Sequence, residues 1–174
     1  MKNTILFLIA MIATVFLMSG CTEKKPVMKS SNRLKGTWIK IETKNTYADS
    51  IQIIKYPQPC IFIFSDSYYS FATLRGTVDR EPYRQPSNPT DEEIINAYNS
   101  FSSNTGRYEI TDSTITTFPI IAKVPGYSGG RGVYEYSINS DTLYLTMIKE
   151  YSRNGEWADW LDHVRSTSKF IKAE

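Results

Sequence analysis

From about residue 34 onward, apolar and polar positions alternate with a period of two, in short runs separated by polar turns. GTWIKIET, SIQIIKY, CIFIFSD, YYSFATLR, GRYEITD, STITTFPIIAK, GVYEYSINS, TLYLTMIKEY and HVRSTSKFIK are rich in Ile, Val, Thr, Tyr and Phe, the composition of strands. Between them, Ser65-Asp66-Ser67, Thr111-Asp112-Ser113 and Asn139-Ser140-Asp141 carry turn chemistry and predict tight antiparallel hairpins. About eight or nine strands in this length predict an all-β fold, a barrel or a sandwich, and successive hairpins favour up-and-down connections.

One segment departs from that period. In NPTDEEIINAYNSFSSNTG, Thr90 and Glu93 have capping-box spacing, and Asp91 and Glu92 sit where a helix dipole favours negative charge. Ile94, Ala97, Tyr98 and Phe101 recur at helical intervals. The pattern predicts a helix near residues 90–103, ended by Asn104 and Gly106, that covers a barrel end or packs on the wall. Ahead of it, GTVDREPYRQPSNP reads as a proline-rich connector, either a solvated crossover or the rim of an opening.

The first residues follow neither period. Lys2 precedes the apolar run Ile5–Met18, which ends in Ser19-Gly20-Cys21. Positive start, apolar run and small residues together read as a secretory signal over residues 1–20. The run is shorter than the roughly 20 residues that span a bilayer as a helix. Met18-Ser19-Gly20-Cys21 resembles the lipobox of bacterial lipoproteins, with Met18 where Leu is usual. The resemblance implies that Cys21 is lipidated, so that acyl chains such as palmitate hold the protein to a membrane. Thr22 in place of Asp after the cysteine favours the outer membrane of the bacterial envelope. Residues 21–33 then read as the lipidated cysteine and a polar, basic tether, and residues 34–174 as one domain.

Charge and cysteine count narrow the function classes. The formal charge of +2 includes Lys2, so the cleaved chain is close to neutral and offers no field for nucleic acid. With Cys21 lipidated, Cys60 has no disulfide partner, and its apolar surroundings in PQPCIFIF suit a buried, inert thiol. The one histidine, His163, has Asp159 and Asp162 nearby, but no nucleophile motif accompanies it and no metal-ligand spacing is present. The residues name no catalytic set, no metal and no cofactor. Tyr127-Ser128-Gly129-Gly130-Arg131-Gly132 lacks the lysine and helix of a phosphate loop and reads as a wide hairpin. Its Arg131 suits either a carboxylate ligand or a structural contact with Tyr134 or Trp38.

Leu34-Lys35-Gly36-Thr37-Trp38 looks like the first strand of lipocalins and other calycin barrels. The helix with Ala97-Tyr98, then Thr105-Gly106-Arg107-Tyr108-Glu109-Ile110, Arg131, Tyr134-Glu135-Tyr136 and Asp141-Thr142-Leu143-Tyr144-Leu145-Thr146 follow in an order that resembles the bacterial lipocalin-like domain family. The resemblance spans about residues 34–150 and implies an antiparallel up-and-down β-barrel with one helix. It carries no substrate, cofactor or catalytic residue. The tail departs from the family, whose last strand carries Trp and Arg. Here the aromatics of NGEWADWLDH precede Arg165 and Phe170, which leaves the last register open.

Inside and outside are not separable from the pattern. Leu143, Leu145 and Met147 share one face of their strand and Tyr144, Thr146 and Ile148 the other, with neither plainly polar. Candidate ligand contacts are Trp38, Tyr69, Phe71, Tyr98, Arg131, Tyr134 and Tyr136, aromatic or bidentate groups that also serve as core or edge cover. Trp157 and Trp160 form either a lid or a patch for a partner. Two readings of function follow. One is a lipid-anchored, non-enzymatic binder of a small apolar or amphipathic molecule, its soluble domain a monomer. The other is an envelope interaction module with a filled barrel. A barrel enzyme using His163 or Arg131 ranks below both, because function resides in the site and no such site is legible.

Overall fold

The computed structural model describes residues 33–173, so the leader, Cys21 and all of the tether but Arg33 lie outside the described residues. Nine antiparallel strands follow in order: β1 (Gly36–Thr46), β2 (Ile51–Lys55), β3 (Cys60–Phe64), β4 (Tyr68–Leu74), β5 (Phe101–Ile110), β6 (Thr114–Ala122), β7 (Arg131–Asn139), β8 (Thr142–Tyr151) and β9 (Arg165–Ala173). Each run that alternation predicts as a strand is one. From β3 onward, neighbours in sequence are neighbours in the sheet, and β9 returns to pair with β1. The result is an up-and-down barrel.

β2 and β3 share one side of β1. Glu42–Thr46 pairs with β2, and Gly36–Ile39 pairs with β3. Tyr56-Pro57-Gln58-Pro59 interrupts what is otherwise one strand position, with Tyr56 in the left-handed region at φ 48°. The closed ring is therefore β1, β3, β4, β5, β6, β7, β8 and β9, and β2 extends its rim.

The three short turns all fall at one end. Ser65 N–H donates to the Tyr68 carbonyl (2.8 Å), Thr111 N–H to the Thr114 carbonyl (2.8 Å), and Ser140 adopts φ 52° between β7 and β8. That end is closed. Trp38 is fully buried there and donates its indole N–H to the Leu34 carbonyl at 2.7 Å, while Lys172 lies over its ring at 5.4 Å. Arg33 helps to seat the chain entry by donating to the Ile138 carbonyl (3.2 Å). Pairing of Trp38 with Lys172 and of Lys40 with Phe170 settles the last register.

The core is the inner face of the barrel. Leu34, Trp38, Phe62, Phe64, Tyr69, Tyr108, Ile115, Leu143, Leu145 and Phe170 form one buried cluster. Leu143 and Leu145 therefore point inward, and Tyr144 lies on the other face. Core, barrel wall and closure all lie within residues 34–173. Among the described residues the buried Tyr69 hydroxyl has no hydrogen-bond partner, and the adjacent Thr117 hydroxyl donates instead to the Gly132 carbonyl (3.2 Å). Tyr69→Phe removes that orphaned group and is expected to stabilise the protein by about 1 kcal/mol, read from the urea midpoint.

The α-helix α1 (Asp91–Asn99) has the expected capping box: Glu93 N–H donates to Thr90 Oγ1 (3.3 Å) and Thr90 N–H to Glu93 Oε2 (2.8 Å). The two backbone N–H groups that Glu93 accepts, from Arg84 and Thr90, hold its carboxyl below the usual glutamate value. The helix stops sooner than its periodicity predicts. Phe101 to Gly106 belong to β5, where Ser102, Ser103 and Asn104 pair with Thr73, Ala72 and Phe71. Sheet hydrogen bonds outweigh helical spacing in this serine-rich stretch.

Candidate functional site in the barrel mouth

Opposite the closed end, four connections gather: the β1–β2 turn, the long segment carrying α1, the loop 123–130 and the loop 152–164. Beneath them the barrel encloses a cavity of about 230 Å³. Its floor is aromatic. Phe62 is the hub, 5.0 Å from Phe64, 4.9 Å from Phe71, 6.0 Å from Phe170 and 6.2 Å from Tyr134 between ring centroids. Strand alternation delivers these rings, since Cys60, Phe62 and Phe64 are buried while Ile61 and Ile63 are exposed.

Polar groups line the upper wall: Lys40, Thr73, Arg75, Asn104, Glu150 and Ser168 among them. Lys40 shares the inner face of β1 with Trp38 two residues before it, Arg75 follows β4, and a β-bulge turns Glu150 inward. Between Lys40 and Glu42 the β1–β9 register shifts, and an extra residue in β8 separates the pairs Tyr134–Met147 and Val133–Lys149. Leu145 and Met147 face the cavity, and the extra residue brings Glu150 onto the same inner face.

Glu150 is the carboxylic acid of the lining. Burial pushes its carboxyl above the ordinary value, while the Trp160 indole N–H, 2.9 Å from Oε2, and the Arg75 charge pull it partly back. Burial also pushes the Tyr134 hydroxyl well up, and the negative charge of Glu150 adds to that rise. Cys60 is buried and free. Burial raises its thiol, opposed by the neighbouring Lys40 ammonium and Thr73 hydroxyl. The raised Glu150 value has a consequence for stability. The folded protein holds this proton at a pH where the unfolded chain has released it, so the contribution is full at acidic pH and is lost as pH rises through the folded value. The urea midpoint of wild type should therefore fall relative to that of Glu150→Gln as pH rises from 4.5 toward neutrality.

The candidate residues scatter. Phe71 and Tyr134 line the cavity, and so does Trp160, whose 3-10 turn (Asp159–Asp162) sits over the mouth. Trp38 and Tyr69 are buried in the core, and Tyr136 donates to the Thr111 carbonyl (3.0 Å) beside a turn of the closed end. Tyr98 is on α1, half exposed beneath the Lys123 ammonium, which lies 3.7 Å from the ring centroid. Arg131 lies over Tyr151 at 4.9 Å, so neither Tyr134 nor Trp38 is its aromatic partner. Trp157 packs edge-on against Tyr151 (5.4 Å) and donates to the Asp162 carboxylate (3.2 Å). His163 ends the 3-10 turn, exposed, with its backbone N–H on the Trp160 carbonyl. Among the described residues, no group of three His, Cys, Asp or Glu could hold a metal.

Lys40, Phe62, Arg75 and Glu150 were not singled out from the sequence. Phe62 was within reach, since CIFIF places it between two residues of the same face. Lys40 was within reach too, two residues after Trp38, whereas Glu150 depends on the β8 bulge and Arg75 on the strap after β4.

A larger hollow of about 800 Å³ lies outside the ring, between the strap Arg75–Arg84 and α1. Its walls carry acids and bases of a surface loop and lack an aromatic floor. The barrel cavity is the better site on chemical grounds, combining a rigid apolar base with convergent polar groups.

Among curated proteins, nothing matches the chain. A crystal structure of a lipocalin-like protein from Bacteroides uniformis is similar, at 16% identity over 81% of this chain and 99% of that one, with a TM-score of 0.42. An uncharacterised protein from Bacteroides eggerthii is similar at 10% identity over 80% and 98% of the two chains, with a TM-score of 0.39. The family model described as "Lipocalin-like domain" matches residues 36–163, well over half of the chain, and the protein belongs to that family.

Proposed function

We propose that this protein is an exported, lipid-anchored bacterial envelope protein that binds a small apolar or amphipathic molecule in the barrel mouth. The observation that carries the binding reading is the cavity itself, with an aromatic floor, polar upper walls and an indole above. Water takes about 30 Å³ per molecule in the liquid, so a cavity of 230 Å³ offers the room of roughly eight waters. That is slightly below the usual ~300–1,000 Å³ of drug-sized pockets, which favours a compact ligand over a long acyl chain.

The test is a calorimetric titration of the soluble chain from Thr22 to Glu174 with benzyl alcohol, a compact neutral aromatic. Saturable one-to-one binding that disappears when Ser168→Trp fills the cavity supports the reading. If benzyl alcohol and its charged relatives all fail to bind, the reading falls.

The anchor rests on Met18-Ser19-Gly20-Cys21. Cells fed labelled palmitate should incorporate it into the wild-type chain and not into Cys21→Ser. An unlabelled wild type would overturn the anchoring.

A second reading, a module that binds another envelope protein, is favoured by one surface feature. Ile171, Ile39 and Ile61 pair directly across β9, β1 and β3, and Ile171 and Ile61 are exposed. Replacing Ile61 and Ile171 by Thr would then abolish recovery of a crosslinked partner from intact cells. Unchanged crosslinking would dismiss this row as a contact.

A further inference from the structure

Among the described residues, neither cation of the cavity lining has a carboxylate within 4.0 Å, for the ion pairs are Lys35–Asp66 and Arg165–Glu135. Lys40 is half-buried, projects from β1 into an aromatic-floored cavity and neighbours the Cys60 thiol and not an acid. An ammonium in such a place loses hydration and ordinarily requires an anionic partner. Arg75 follows β4 directly and donates to Ser102 Oγ at 3.3 Å, which leaves the rest of its guanidinium fork free.

Glu150 is the carboxylic acid of the same lining; the Arg75 charge acts on it, but it forms an ion pair with neither cation. In the ring of eight strands, β4 and β8 are four places apart, so Arg75 and Glu150 stand on opposite sides of the mouth. Glu150 is also engaged by the Trp160 indole N–H. The two cations outnumber the carboxylate and face the cavity from β1 and from the end of β4.

We propose that the ligand is a compact organic anion, with an apolar body on the rings of Phe62, Phe71 and Phe170 and an anionic group between Lys40 and Arg75. This deepens the binding reading above and rests on it. The anionic group takes hydrogen bonds from both cations, and charged hydrogen bonds of this kind separate a carboxylic acid from its neutral isostere. Glu150 opposes the ligand across the mouth, so removing its charge favours binding.

The experiment is a pair of calorimetric titrations of the soluble chain with phenylacetate and phenylacetamide, which share one body and differ in charge. Phenylacetate is expected to bind roughly tenfold to a hundredfold tighter than the amide. Lys40→Met should erase most of that preference, and Arg75→Gln should reduce it. Glu150→Gln should tighten phenylacetate binding.

Equal affinities for the acid and the amide overturn the anion assignment and leave the binding reading standing. Weaker phenylacetate binding in Glu150→Gln also overturns it. If neither probe nor benzyl alcohol binds, both readings fall together. The wild-type comparison decides the matter even where Lys40→Met does not fold.

Discussion

Trp38→Ala is expected to cost about 3–5 kcal/mol of stability, the range for deleting a large aromatic from a packed core. The side chain is fully buried at the closed end and donates to the Leu34 carbonyl at 2.7 Å. Truncation leaves a cavity with few ways to collapse, because β3 and β9 flank β1 on both sides. It also orphans that carbonyl and removes the ring beneath Lys172. Trp38→Phe retains an aromatic plug and should cost distinctly less, about 1–3 kcal/mol for the lost hydrogen bond and fit. Urea unfolding of both variants checks the order. Equal stabilities of Trp38→Ala and wild type would show that the closed end is not where the barrel is held together.

Gly106→Ala should be nearly as damaging, by a different route. A Cβ at this position would sit 2.0 Å from the Phe118 carbonyl oxygen and 2.8 Å from Ile120 N. Both are backbone atoms of the neighbouring strand, so no rotamer change relieves the clash. The β5–β6 register shifts between Thr105 and Gly106, where Pro119 is the partner. Proline in the interior of a sheet is tolerated at such an irregularity, and glycine is what lets the two backbones approach. Overpacking costs of about 3 kcal/mol are expected, enough to lower the midpoint sharply or prevent folding. Gly126→Ala, where the added Cβ meets nothing within 4 Å, is the matched control and should leave the midpoint unchanged.

These two residues show what the sequence makes readable. Strand alternation and turn chemistry are local properties, and they locate all nine strands and the three tight turns. The capping box is likewise local, and Thr90 and Glu93 do what their spacing predicts. The end of α1 is not local. Whether Ser102 and Asn104 continue a helix depends on Thr73 and Phe71 lying opposite them in β4.

The cavity was less legible for a related reason. A strand read with strict alternation keeps Leu143, Leu145 and Met147 on one face and would turn Glu150 away. The extra residue in β8 reverses the phase and turns the carboxylate inward. Lys40 precedes the shift in β1 and keeps the inward phase of Trp38, so alternation does place it. Bulges leave little mark in a single sequence, so Glu150 is hidden while its aromatic neighbours Phe71 and Tyr134 are not. Tyrosine count is a poor guide in the other direction. Tyr98 lies outside the barrel, and Tyr136 ties β7 to a turn.

The measurement that bears most directly on a binding barrel is a crystal structure of residues 22–174, purified without added hydrophobic compounds and then soaked with phenylacetate. The expected result is an open cavity above Phe62, with the phenyl ring on the aromatic floor and the carboxylate between Lys40 and Arg75. A closely packed interior with the Lys40 and Arg75 side chains folded away would contradict it.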